Sequence, residues 1–258
     1  MSAPARTREA QREATYTEIV ATSRALLAEG EELSLRALAG RMGVTAPALY
    51  RYVASYQELV DLVAFEVDKA ATQQFAEAAA AAPADDPAAR LLIGVVAFRR
   101  WALTNPREFS MCFANPILDS NCLRRELVTA DTSGHFMTDL LFEVWEKYDF
   151  PVPDIDELDP AVAEALRDPL IPAKVEPIPD DKRGLLWIYM SSWAALYGVV
   201  TLEVFGHMDP RVIESGAMFV SMVREWMPRL GLVGDEFERL DAILVAEVKR
   251  WPPAPLRA

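Results

Sequence analysis

Two histidines, His135 and His207, and two cysteines, Cys112 and Cys122, are the whole supply of imidazole and thiol in 258 residues. No HxxxH, no CxxC, no helical pair of carboxylates and no glycine-rich phosphate loop accompanies them. A general base, a nucleophile and a metal site therefore all lack a candidate, and no enzyme activity, cofactor or metal is expected. The cysteines, ten positions apart in apolar surroundings, are expected to be reduced, buried thiols. Glu203 and His207 are four apart and are expected to pair structurally at a helix end. The residues whose types and spacing suit a chemical task lie earlier. From Ser34 to Val53 the chain carries Arg36, Arg41 and Arg51 and no acid, although its net charge is -13. Residues 1–60 hold seven basic and seven acidic side chains, so the acidic excess lies beyond them. A local positive face on an acidic protein is suited to a polyanion.

The elements that must position those arginines read as helices, and the fold class expected is all-α, because apolar residues recur at helical spacing and no sustained alternation is seen. A first helix over about 7–28 puts Tyr16, Ile19, Val20, Ser23, Leu26 and Leu27 on one face, with Gly30 to close it. Ser34 is the N-cap of a second helix whose inward positions are Leu35, Leu38, Ala39 and Met42 and which stops at Gly43, where positive φ is tolerated. Thr45 caps a third, short helix with Pro47 in its first turn, and Val44 and Leu49 are expected to face inward. Ser55 and Glu58 have capping-box spacing and open a fourth helix that reaches about Ala82. Further helices are expected at about 88–104, 119–130, 134–149, 183–206, 210–230 and 235–250. The interruption at 151–181, with seven prolines and nine acids against two bases, is expected to be a solvated excursion around a short helix at Ala161–Leu166, with a flap over a ligand site as the alternative.

The stretch SLRALAGRMGVTAPALYRYV thus forms a helix-turn-helix, in which small Ala39 permits close packing and the second helix offers its N-terminal side chains to a major groove. Together with Ala25-Leu26-Leu27-Ala28-Glu29-Gly30, Met42-Gly43-Val44, Leu49-Tyr50-Arg51-Tyr52 and Glu58-Leu59, it resembles the TetR-type transcriptional regulators over about residues 12–72, with the motif at about 34–53. The resemblance implies an N-terminal DNA-binding domain at 1–56, a connecting helix at 57–82 and a C-terminal regulatory, ligand-binding and dimerisation domain at 83–258. It places Thr45, Ala46 and Pro47 at base edges and Tyr50 and Arg51 near base or phosphate. Ser34 and Arg36 would meet the backbone. Tyr52 is shared between phosphate and the first helix. Ala46 and Pro47 are limited to thymine methyl groups, which leaves Arg51 for guanine. The sequence departs from the family pattern at Tyr56, where a lysine is common, and at Val53, where phenylalanine is common. The phosphate contact is there either lost or taken over by the Tyr56 hydroxyl. Arg6, Arg8 and Arg12 form a basic arm, either solvated or reaching the duplex.

Leu185 to Leu202 contains no charged residue. Eighteen residues lie near the lower limit for a membrane span, at roughly 17–25, and Ser191, Ser192, Gly198, Thr201 and nearby Glu203 interrupt the apolar character. A buried central helix, with one face on its own core and the other on a partner subunit, is expected instead. The following helix, with Val212, Ile213, Ala217, Val220, Val223 and Trp226 or Met227, is its expected companion in a four-helix interface. Trp193 to Glu203 resembles a Trp-His-Gly segment of some family members, with tyrosine in place of histidine. Phe98, Trp101, Phe113, Phe136, Trp187, Tyr189, Trp193 and Tyr197 are the candidates for an apolar effector cavity. The reading is a cytoplasmic homodimer that binds a double-stranded, palindromic DNA operator and a small apolar or aromatic effector, most simply as a repressor. The alternatives are a TetR-like protein acting through protein partners without an operator, or a helical enzyme.

Overall fold

The computed structural model describes residues 3–114, 132–167, 169, 175 and 178–251. They are helical with no strand among the described residues. The expected helix at 119–130 and Cys122 lie outside them. Cys112 is buried, and its thiol donates to the Ala64 carbonyl at 3.3 Å.

The chain divides into two compact units, with the boundary between Lys69 and Ala70. The first holds α1 (Ala3–Glu29), α2 (Leu35–Met42), α3 (Ala46–Leu49) and the first part of α4 (Tyr56–Ala79). It also takes in residues from Arg107 onward within α6 (Pro106–Phe113), a short helix the sequence reading did not anticipate. Local chemistry sets these boundaries. Ser34 adopts extended φ and its hydroxyl accepts from the Ala37 amide at 3.1 Å, opening α2. Gly43 at φ 69° closes α2 in the left-handed region, which a side chain would resist. Ser55 accepts from the Glu58 amide at 3.1 Å, while the Glu58 carboxylate reaches the Ala54 amide rather than that of Ser55. The serine half of the expected box is therefore present, and only the reciprocal bond from Glu58 is displaced, by one residue. Ile19, Leu26, Leu38, Ala39, Leu49, Val53, Leu59 and Val63 are buried in this unit.

The second unit contains the end of α4, α5 (Pro87–Thr104), α7 (Ser133–Tyr148), α8 (Pro160–Arg167), α9 (Gly184–Val204), α10 (Pro210–Ser215), α11 (Ala217–Trp226) and α12 (Asp235–Arg250). Helix α5 packs against α7, α9 and α12. Asp86 opens it by accepting from the Ala89 amide at 3.2 Å, with Pro87 in the first turn where no donor is missed. The single helix expected over 210–230 is broken at Gly216, φ 66°, and again at a 3₁₀ turn, Met227–Leu230. The short helix expected in the acidic excursion is α8. A close approach fixes the start of α9: a Cβ on Gly184 would stand 1.9 Å from the Pro153 carbonyl oxygen.

Helix α9 lies in the segment Asp180–Val204, which is long and apolar enough to cross a membrane by length and composition. Within the chain it buries Leu185, Leu186, Tyr189, Leu196, Val200 and Glu203, and packs against α5, α7, α8 and α11. Its end leaves Leu202 exposed, with Phe205 just beyond and Met218 on α11 also exposed. Ile213, Val220, Val223 and Met227, expected as interface positions, are buried inside the chain itself.

Candidate nucleic-acid interface and effector cavity

In the first unit, the segment after Gly43 turns its side chains in two directions. Leu49 and Val53 go into the core, whereas Tyr50 (54% exposed), Tyr56 (49%) and Val44 (42%) stand in solvent. Val44 corrects the inward expectation. It sits in the turn between two helices, where helical periodicity no longer dictates a face. Thr45, Pro47, Arg36 and Arg51 are also exposed, and Ala46 and Ser34 are half-buried. Thr45 precedes α3 with extended backbone, but its side chain makes no capping bond. Tyr52 packs inward: its ring meets Tyr16 edge-on at 5.8 Å, and its carbonyl accepts from the Tyr16 hydroxyl at 3.0 Å. Of the two places expected for it, the first helix is the one its ring meets here.

The arginines are not equivalent. Arg41 donates to both carboxylate oxygens of Glu29 at 3.0 and 2.7 Å and to Glu31 at 2.8 Å. Its hydrogen bonds hold the Glu29 carboxyl below the ordinary range. The acid-free face read from Ser34 to Val53 is thus partly neutralised by acids from just upstream, close in space but outside the window. Arg12 donates to the Tyr16 hydroxyl at 3.2 Å. The side chains of Arg6 and Arg8 lie outside the described residues. Arg36 and Arg51 are the motif's other exposed guanidinium groups.

In the second unit a cavity of about 100 Å³ opens between four helices. Its wall is Ala88, Leu91, Leu92 and Val95 from α5, Met137 and Leu141 from α7, and Tyr189, Ser192, Trp193 and Leu196 from α9. Met222, Val223 and Trp226 from α11, with Met227, Leu230 and Leu232 beyond it, complete the lining. None of these carries a carboxylate, amine, guanidinium or imidazole. The Ser192 hydroxyl donates to the Tyr189 carbonyl at 2.9 Å. Of the aromatics expected to meet an effector, Tyr189 and Trp193 line this space. Phe98 and Trp101 are packed with Phe75 at 5.8 and 5.9 Å, as core. Tyr197 stacks on Trp193 at 6.0 Å, and the Phe136 ring would come within 3.2 Å of a Cβ at Gly94. Trp187 is half-buried near the start of α9. Phe113 belongs to the first unit, against Phe109 at 5.3 Å. Met137 and Met222 are not among the expected lining residues, and Trp226 and Met227, expected at the interface, line the cavity instead. Their helical spacing marked a buried face without telling core from cavity.

Beyond the cavity lies a buried ion pair. Arg99 of α5 donates to Glu203 of α9 at 2.6 and 3.1 Å and to the Ile213 carbonyl at 2.7 Å, and its guanidinium lies 5.3 Å from the centre of the Phe219 ring. Burial pushes the Glu203 carboxyl up, and the hydrogen bonds from Arg99 oppose that shift. The expected Glu203–His207 pair is corrected. Glu203 points into the core toward Arg99, whereas His207 is exposed beside Phe205.

A family model described as the tetracyclin repressor-like C-terminal domain matches residues 91–226, just over half the chain. The chain belongs to the TetR family of transcriptional regulators. Among its relatives, the HTH-type transcriptional regulators Rv1816 of Mycobacterium tuberculosis and Mb1846 of Mycobacterium bovis are each 25% identical over 196 residues, covering 74% of this chain and 81% of theirs. The crystal structure of RolR in complex with resorcinol shares the fold, at a TM-score of 0.55 and 12% identity, over 96% of this chain and 99% of RolR.

Proposed function

We propose that this TetR-family regulator acts as a homodimeric repressor, which holds a palindromic double-stranded DNA operator and releases it when a small apolar or aromatic effector enters the cavity of the second unit. The observation that carries the DNA part is the outward face of the helix-turn-helix, where Arg36, Thr45, Pro47, Tyr50 and Arg51 stand exposed with no acid from Ser34 to Val53. Residues 1–56 serve as the DNA-binding part, 57–82 as the connecting helix and 83–258 as the regulatory part. Ser34 and Arg36 contact phosphate, Thr45, Ala46 and Pro47 approach base edges, Tyr50 and Arg51 reach base or phosphate, and the Tyr56 hydroxyl stands in for a phosphate-binding lysine. Two copies present their motifs about one turn of duplex apart, roughly 34–36 Å.

A second copy seated on the uncovered side of α9 would bury Leu202, Phe205 and Met218, which supports the dimer. The effector reading rests on an uncharged wall. An apolar cavity of about 150 Å³ accepts benzene, so a single ring needs a modest expansion here, which Met137, Met222 and Met227 permit through their flexible side chains. Binding weakens the operator complex by its differential affinity for two states, commonly about 1–3 kcal/mol.

A gel-shift titration on the gene's own upstream region, over a range of salt and with added neutral aromatic compounds, tests the reading. Specific binding that weakens with salt and is reversed by such a compound is expected. Binding no tighter than to random duplex overturns it and favours action through protein partners. Sedimentation of the free protein as a monomer removes the dimer.

A further inference from the structure

Adenine is read in the major groove by paired donors and acceptors from Asn or Gln, cytosine by Asp or Glu, and guanine by Arg or Lys. From Gly43 to Val53 the chain offers none of these except Arg51. Arg41, two residues before Gly43, is taken by Glu29 and Glu31. Gln57, the nearest amide beyond, donates to Asp61 at 2.9 Å. What this segment does hold outward is apolar or nearly so: the Val44 methyls, the Pro47 ring, the Tyr50 ring and the Thr45 methyl, whose hydroxyl is not engaged in capping α3. A lone exposed valine is ordinary. An exposed valine, proline and tyrosine on a DNA-reading segment with a single bidentate donor is a specific composition, and the base-pair feature it matches is the thymine 5-methyl group.

We infer that this regulator recognises its half-site mainly by packing Val44, Pro47 and Tyr50 against thymine methyl groups, with Arg51 supplying this segment's guanine contact. The inference rests on the DNA-binding reading above and adds the chemistry of the code. Sequence preference then comes from shape and apolar contact, and loss of one methyl weakens binding in proportion to apolar surface left uncovered.

The test uses the full-length wild-type protein. A preferred duplex is selected from a random pool, and each thymine in turn is replaced by deoxyuridine, which removes the methyl and keeps base pairing. Two or more thymines per half-site should lose about fourfold in affinity, the worth of one buried methyl group. In Val44→Ala the penalty should vanish at one of these positions and persist at the others. A flat uridine scan on a duplex that is still specifically bound overturns the inference and leaves operator binding intact. Failure to select any duplex overturns operator binding itself. Because the scan needs no variant, a folding defect in Val44→Ala does not blunt it.

Discussion

Arg99 and Glu203 sit 104 positions apart in sequence and meet as a two-pronged ion pair, 3% and 0% exposed, in the middle of the second unit. Their pairing joins α5 to α9, and the third bond to the Ile213 carbonyl adds the end of α10. Removing one partner strands a charge in a low dielectric. Arg99→Leu or Glu203→Leu should each cost about 3–5 kcal/mol in urea unfolding, whereas Arg99→Met with Glu203→Leu should cost far less than the sum. Additive losses would show that the two side chains stabilise the unit independently.

The contact between Gly184 and Pro153 predicts a steric penalty rather than a charge penalty. Backbone, not a flexible side chain, occupies the place of the missing Cβ. Gly184→Ala should destabilise by about 1–3 kcal/mol, read as a lower urea midpoint. An unchanged midpoint would mean that the Pro153 segment does not rest on α9 in solution.

Acid sensitivity should be traceable to Glu236. Arg239 donates to it, as does the Tyr148 hydroxyl, and together they hold its carboxyl down at about 2 against an ordinary 4.5. Between those values the unfolded chain binds a proton that the folded chain refuses. Stability from this group is therefore complete above about pH 4.5 and is lost as pH falls toward about 2. Glu236→Gln should flatten that limb of a stability-against-pH curve. A limb of unchanged slope would assign acid unfolding to other carboxylates.

Two arginines of the helix-turn-helix should separate by their variants. Arg51→Ala is expected to relax discrimination at one base pair by about 1–3 kcal/mol in competition binding. Equal weakening on all duplexes would assign Arg51 to phosphate. Arg41→Ala should lower thermal stability slightly and leave base preference alone, because its fork is filled by Glu29 and Glu31. A changed base preference would contradict that assignment.

The helix-turn-helix was legible because its determinants are local. Ser34, Gly43 and the spacing of Leu38, Ala39 and Leu49 act within one or two turns. Val44 was misjudged because apolar type was taken for burial at a point where the chain changes direction. Arg41 was misjudged for a related reason: its acids lie ten and twelve residues upstream, beyond the window in which the charge was counted. Helix α6 has its sequence signal in Asn105-Pro106, with proline at its first position. The second unit was harder. Arg99 and Arg100 are adjacent in sequence, and only packing decides that Arg99 enters the core while Arg100 lies 4.5 Å from the Trp251 ring centre. Helix α9 is apolar on nearly every side, so its sequence has no period to divide core, cavity and uncovered face.

The capture of Arg41 also bears on the tempo of the proposed complex. With that guanidinium neutralised, a chain of net charge -13 would approach a polyanion with Arg36 and Arg51 as the motif's other exposed cations in each copy. At long range its field opposes the encounter, and at short range the exposed face draws the duplex in. Added salt then shortens the lifetime of the bound state while easing the first approach. Slow departure, more than fast arrival, would keep the operator occupied.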